Sequence, residues 1–173
     1  MSKQSNIIAL VGTVAISAGI YLLLRNTKVT TMTSYLGRKD LPRGYRNNNP
    51  LNIRINSGNN WQGKLWRNTD GAFEQFQYVE YGYRAALVLL RNYIRSGNNT
   101  IQKIITRWAP NNENNTDGYI KRVCTTLDAI PSDTINATDR EQMAHLVYAM
   151  AIVENGNTPA PSLQQIYAGW NLI

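Results

Sequence analysis

A carboxylate in the last turn of a helix, on that helix's apolar face, is the feature of this chain best suited to proton transfer. Among 173 residues there are 11 Asp and Glu, one His (His145) and one Cys (Cys124). The single Cys excludes an internal disulfide and a Cys-based zinc cluster, and the single His excludes a His-rich metal site. No cofactor or metal is implied. The search for an acid or base therefore falls on few residues. Spacing predicts a helix over 139–154, opened by the capping box Thr138-Asp139-Arg140-Glu141. Its apolar stripe is Met143, Leu146, Val147, Met150 and Val153, and Glu154 falls four residues after Met150 and seven after Val147. Desolvation and the negative end of the helix dipole both disfavour an anion there, which is the environment a proton-donating carboxylic acid needs. Asn155-Gly156 then ends the helix and can leave the carboxyl at the edge of a cleft. The same residue could also turn to solvent at a frayed end, and spacing alone leaves both readings open.

The elements that would position this group form a helix-rich domain. The Asn cluster 47–49 and Pro50 are turn chemistry, and LNIRI (51–55) alternates as a short strand. Trp61-Gln62-Gly63 resumes a second strand and FEQFQY (73–78) a third. Helices follow over 81–95, over 101–108 with Thr100 as cap, over 117–127 with Thr116 as cap, and from Ser162 to about 171. The expected fold is α+β, mainly helical, with a small β-sheet. Cys124 and the aromatics Tyr93 and Trp108 keep helical register with apolar neighbours and read as core. Trp66, with Trp61, lies in a more open, polar stretch. His145 lies off the stripe and reads as surface. Arg84 reads as an i, i+4 partner of Glu80.

The charge is uneven. Residues 1–42 carry five bases against one acid, and residues 43–173 carry 13 bases against 10 acids. The stretch 7–24, IIALVGTVAISAGIYLLL, has no charged side chain, and 18 helical residues span about 27 Å, close to a bilayer core. It lacks a small-x-small cleavage site, so the expectation is an uncleaved single transmembrane helix in 1–25 and a single-pass membrane location. Residues 26–42 read as a tether and 43–173 as the compact domain. That domain lacks a basic tract interleaved with aromatics, which argues against nucleic acid as the partner.

Several motifs occur in a specific order: RGYRNNNPLNIR (43–54), W-x-G (61–63), F-x-x-F (73–76), GYRAALVLLRNY (82–93), a stretch of the form IIxRWAPxxENxTxxYI (104–120) and VENG (153–156). Together they resemble phage virion-associated peptidoglycan hydrolases of the lysozyme superfamily, over nearly all of 43–173. Leu51 stands where the commoner form of the first motif has Gly, which puts the backbone turn there in doubt. Glucosaminidase and transglycosylase members carry a helix ending in Glu-Ser-Gly, then Asn-x-x-Gly-Ile, then an aromatic strand and a helix. Glu154-Asn155-Gly156 looks like the first element, Asn49 to Ile53 like the second and Phe73 to Tyr93 like the third. The Glu helix comes last instead of first, as in a circular permutation.

The resemblance implies a lysozyme-like domain in which Glu154 protonates a glycosidic oxygen. It implies peptidoglycan as substrate and, with the apolar segment, a virion membrane and capsid proteins as neighbours. The enzyme would act in the host periplasm during infection. A two-carboxylate mechanism needs a second acid. Glu113 ranks first, because it lies in the WAPNNENNTDGYI loop, ahead of Glu74, Glu80 and Asp70. A lytic transglycosylase needs one acid/base only, and the sequence leaves the two routes open. Aromatic and amide side chains suited to sugar rings and N-acetyl groups are Asn49, Asn52, Trp61, Tyr78 and Tyr119. The competing reading is a non-enzymatic virion protein that links membrane and capsid or binds cell-wall glycan.

Overall fold

The computed structural model describes residues 32–173 except 113, 114 and 158. Six helices occur among them: α1 (Arg43–Arg46), α2 (Val79–Arg95), α3 (Ile101–Trp108), α4 (Thr116–Leu127), α5 (Arg140–Asn155) and α6 (Leu163–Trp170). Their starts follow side-chain caps. Thr100 accepts from the Lys103 N–H, Asn115 from Gly118, Asp139 from Glu141 and Gln142, and Ser162 from Gln165. Each bond satisfies a backbone donor that the first helical turn leaves without a partner.

Helix α5 is the centre of the domain. It packs against α1, α2, α4 and α6. Met143, Leu146, Val147 and Met150 are fully buried, and Ala144, Ala149 and Ala151 bring neighbouring backbones close. Helices α2 and α6 pack most extensively on one another. The guanidinium of Arg84 donates through Nε to the Leu172 carbonyl at 2.9 Å, fastening the C-terminus to α2. That bond replaces the expected pairing with Glu80. The Glu80 carboxylate instead accepts from the Thr33 N–H.

The expected β-sheet is absent among the described residues. Three isolated bridges stand in its place: Arg54 with Phe73, Lys64 with Phe76, and Thr100 with Thr134. Two facts explain this. Asn48 and Asn52 adopt left-handed backbone, at φ 51° and 49°, which breaks an extended run. Asparagine amides also bond carbonyls along these segments, where the backbone makes only scattered cross-chain bonds such as Glu74 N–H to the Ile53 carbonyl. The Asn48 amide donates to the carbonyls of Phe76 and Gln77, and the Asn49 amide to those of Ile53 and Glu74.

Two further expectations change. The compact unit begins at Met32 and not at Arg43. Val79 N–H donates to the Thr33 carbonyl at 2.8 Å, Tyr35 N–H donates to Asn48 Oδ1 at 2.7 Å, and the Tyr35 ring meets Tyr45 edge-on. Residues 32–42 are thus part of the domain, where a tether was expected. Among the described residues no helix is long and apolar enough to cross a membrane. This finding stands against the expected transmembrane helix and single-pass membrane location as far as the described residues reach. The segment 1–25 on which that expectation rested lies outside the described residues.

Candidate active site

Glu154 lies in the last turn of α5, half-buried. Three side chains from three other parts of the chain donate to its carboxylate. Asn52 Nδ2 donates to Oε2 at 3.0 Å. Trp108 Nε1 and Tyr119 Oη donate to Oε1 at 3.2 and 3.0 Å. The Asn47–Asn52 loop, the end of α3, the first turn of α4 and the end of α5 therefore converge on one carboxyl group.

Local sequence sets each arm. Asn52 tolerates the left-handed backbone that aims its amide, as asparagine does more readily than most residues. Its N–H donates to the Asn49 carbonyl at 2.9 Å, closing the turn. Asn155 clamps the loop to the helix by donating from Nδ2 to the Pro50 carbonyl at 2.6 Å and to the Ala151 carbonyl at 3.1 Å. The Trp108 ring meets Tyr93 edge-on at 6.4 Å, and Arg107 covers the Tyr93 ring at 4.6 Å. Ala109-Pro110 ends α3 directly after Trp108, which holds the indole at the cleft.

Tyr119 is almost wholly buried. Its hydroxyl is pushed well above the ordinary tyrosine range, first by burial and then by the charge and hydrogen bond of Glu154. It stays a donor across the physiological range.

Glu154 lines two cavities. One is a cleft of about 400 Å³ whose walls include Asn52, Arg54, Asn59, Phe73, Tyr93 and Trp108. The other, about 310 Å³, lies against Asn115, Tyr119 and Arg122. Glu154 therefore faces both spaces. Among the described residues Glu154 is the sole carboxylate lining either cavity.

The other sequence candidates separate clearly. Asn52 and Tyr119 touch Glu154. Asn49 is fully buried, and its amide is consumed by Ile53 and Glu74, so it shapes the loop and does not face a ligand. Trp61 packs against the core and lies outside the cleft, as does Tyr78, which leans on Tyr81 at 6.2 Å. Glu113 lies outside the described residues. The remaining candidates for a second acid are engaged elsewhere. Glu74 is fully buried and pairs with Lys64 at 2.9 Å. Asp70 is held far below the usual carboxylate range, chiefly by the Arg43 guanidinium. Glu80 is raised by burial.

Two participants escaped the sequence reading. Trp108 was taken as core because its register matched its apolar neighbours, yet its indole N–H reaches Glu154. Phe73 forms a cleft wall between two guanidinium groups, those of Arg43 at 4.5 Å and Arg54 at 5.5 Å from the ring centroid. The placement of Trp108 immediately before Ala109-Pro110 was the available signal, since a helix's last residue is seldom enclosed on all sides. His145 is exposed and Cys124 buried, each on its expected face.

No protein-family model matches the chain. A stretch of 120 residues is 38% identical to a protein named P5 from Pseudoalteromonas phage PM2, covering 68% of this chain and 73% of that protein.

Proposed function

The chain belongs to the family of protein P5 of Pseudoalteromonas phage PM2, and from that premise we propose that it is a phage virion protein that cleaves the glycan strand of peptidoglycan during infection. The observation that carries the reading is the Glu154 carboxyl group, exposed to a cleft at a helix end and held by Asn52, Trp108 and Tyr119.

Proton donation to a glycosidic oxygen turns the carboxylic acid into an anion. Three preoriented donors receive that charge without reorganisation at the moment of reaction. Oε1 takes two of them and Oε2 one, so Oε2 keeps a lone pair for the proton that is transferred. The cavities on either side of Glu154 would seat the sugars flanking the scissile bond. Phe73 and Tyr93 offer ring edges to a pyranose, and Asn59 offers an amide to hydroxyl and N-acetyl groups.

Glu154 is the one carboxylate lining the cleft among the described residues, which favours the route that needs one. Glu154 protonates the leaving oxygen and then, as the anion, accepts the proton of the sugar's 6-hydroxyl as that oxygen closes on the anomeric carbon. The product would be an anhydro-muramic end, the mark of a lysozyme-superfamily lytic transglycosylase. Glu154 would serve as acid and then base.

The test is clearing of purified sacculi by the full chain, with mass spectrometry of the released muropeptides. Glu154→Gln keeps the Oε1 acceptor and loses the proton, and should slow clearing by about 10²–10⁴-fold, the usual worth of a general acid. Equal clearing by the two proteins would remove Glu154 from the chemistry. Absence of clearing by both would return the chain to a non-enzymatic role in the virion.

A further inference from the structure

Another cavity, of about 630 Å³, is lined by Asp70, the partner of Arg43, and shares no lining residue with the Glu154 cleft. Its walls bear three bases, Lys39, Arg46 and Arg67, and two aliphatic side chains, Leu36 and Leu65. None of the three bases forms an ion pair among the described residues. The one carboxylate in the wall, Asp70, is already saturated. It accepts two hydrogen bonds from Arg43 at 2.7 and 2.8 Å, one from Asn47 at 2.7 Å, and others from the Ala72 and Phe73 N–H groups. The cavity therefore presents three uncompensated positive charges. Leaving them unpaired in one concavity costs mutual repulsion and stabilises nothing in the fold, whereas an anionic ligand would relieve it.

The position ties this cavity to the cleft. One guanidinium, that of Arg43, bonds Asp70 of the cationic wall and lies 4.5 Å from the ring centroid of Phe73, which lines the cleft. The two spaces are thus connected through one side chain, and Asp70 and Phe73 are three residues apart. A ligand in the cleft whose branch reaches past Arg43 would enter the cavity.

Resting on the glycan-cleaving reading, we propose that this cavity binds the carboxylates of the peptide stems attached to the glycan strand. The ligand class follows from the walls. Guanidinium forks match carboxylates in planar geometry. Leu36 and Leu65 suit the aliphatic side chains between those carboxylates. The volume is that of a small-ligand site. Nucleic acid fits poorly, because no aromatic ring lines the cavity for base stacking. The chain would then prefer peptide-bearing strands to bare glycan, and the cavity would set register along the polymer.

The experiment compares wild type, R46Q/R67Q, K39Q/R67Q and E154Q, all as full chains with unchanged circular dichroism. The K39Q/R67Q pair alters the two exposed bases only and covers the case in which the half-buried Arg46 affects folding. On intact sacculi both double variants should clear about tenfold more slowly, through a raised KM, as two partly exposed charge contacts are lost. On strands stripped of stems by an amidase, wild type and double variants should be equal. Titration with a free acidic stem tetrapeptide should show binding by wild type and E154Q, weakened several-fold in both double variants. Equal binding by all four proteins, or none by wild type, overturns the cavity's assignment whatever the chain does to glycan. Tighter binding of a single-stranded oligonucleotide than of the peptide overturns it too. Peptide binding without clearing would leave the cavity in place and sink the glycosidase reading alone.

Discussion

Gly82→Ala sets two effects against each other at one position. Gly82 lies in the first turn of α2, and in an unobstructed helix the change would stabilise by about 1 kcal/mol. Here the added Cβ would stand 2.0 Å from the Asn48 carbonyl oxygen and 3.1 Å from Asn49 Cα. Restoring even a 3.0 Å approach, itself rarer than real side chains show, requires the two backbones to part by 3.0 − 2.0 = 1.0 Å. Neither side gives way easily. The Asn48 backbone is pinned by N–H donation to Tyr45, and its side chain by bonds to the N–H of Tyr35 and the carbonyls of Phe76 and Gln77. The helix is pinned by Ala86, Leu87 and Leu90, which are fully buried. Overpacking costs about 1–3 kcal/mol, and a main-chain displacement belongs at the upper end. Net of the propensity gain, the loss is about 2 kcal/mol. For a domain of this size that lowers Tm by roughly 5–10 °C. Differential scanning calorimetry at neutral pH reads it directly. A Tm equal to or above wild type would refute the steric reasoning. Activity below Tm should fall as well, since Asn52 hangs from the same loop through its bond to the Asn49 carbonyl.

Other outcomes follow from single contacts. Tyr119→Phe and Trp108→Phe each remove one donor to a charged group, worth about 1.5–3 kcal/mol, so each should slow clearing about 10–100-fold while leaving circular dichroism unchanged. Asn155→Ala strips the Pro50 carbonyl of its partner and should lower stability by about 1–3 kcal/mol in urea titration, with a larger loss of activity than Tm predicts. Asp70 and Glu80 should titrate with opposite sign. The folded state depresses Asp70, so its contribution is present above the unfolded value near 3.8 and is lost as pH falls below it. Burial raises Glu80, so its cost is absent below about pH 4 and grows as pH rises through its folded value. Urea midpoints across pH 3–8 check both: the deficit of Asp70→Asn should begin to shrink only below about pH 4, and the advantage of Glu80→Gln should vanish there.

Helices were legible because their signals are local. Thr100 and Ser162 cap where the sequence places them, Asp139 and Asn115 cap one residue away from the expected Thr138 and Thr116, and the Met143–Met150 stripe is buried as its period requires. Segment 47–76 misled because alternation and aromatic content there describe burial and not pairing. Its order comes from asparagine and glutamine side chains bonding to one another and to backbone, with Gln75 Nε2 donating to Asn47 Oδ1 at 2.9 Å and Asn68 Nδ2 to the Phe73 carbonyl at 2.8 Å. Such bonds leave no period. Glu154 stood out because its environment conflicts with its chemistry, whereas Trp108 agreed with its neighbours and hid. A hydrogen bond made by the one polar atom of an otherwise apolar ring is invisible to hydropathy.

The bond from Asn52 to Glu154 joins residues 102 positions apart. Synthesis therefore delivers the two halves of the site at different times. Asn52 is made early, and its acceptor leaves the ribosome only after α2, α3 and α4 have been translated. The helix that bears Glu154 is in turn followed by α6, whose packing on α2 closes the domain. An unfinished chain thus holds only fragments of the apparatus. A chain cut short before α5 lacks the carboxylate on which the three donors converge.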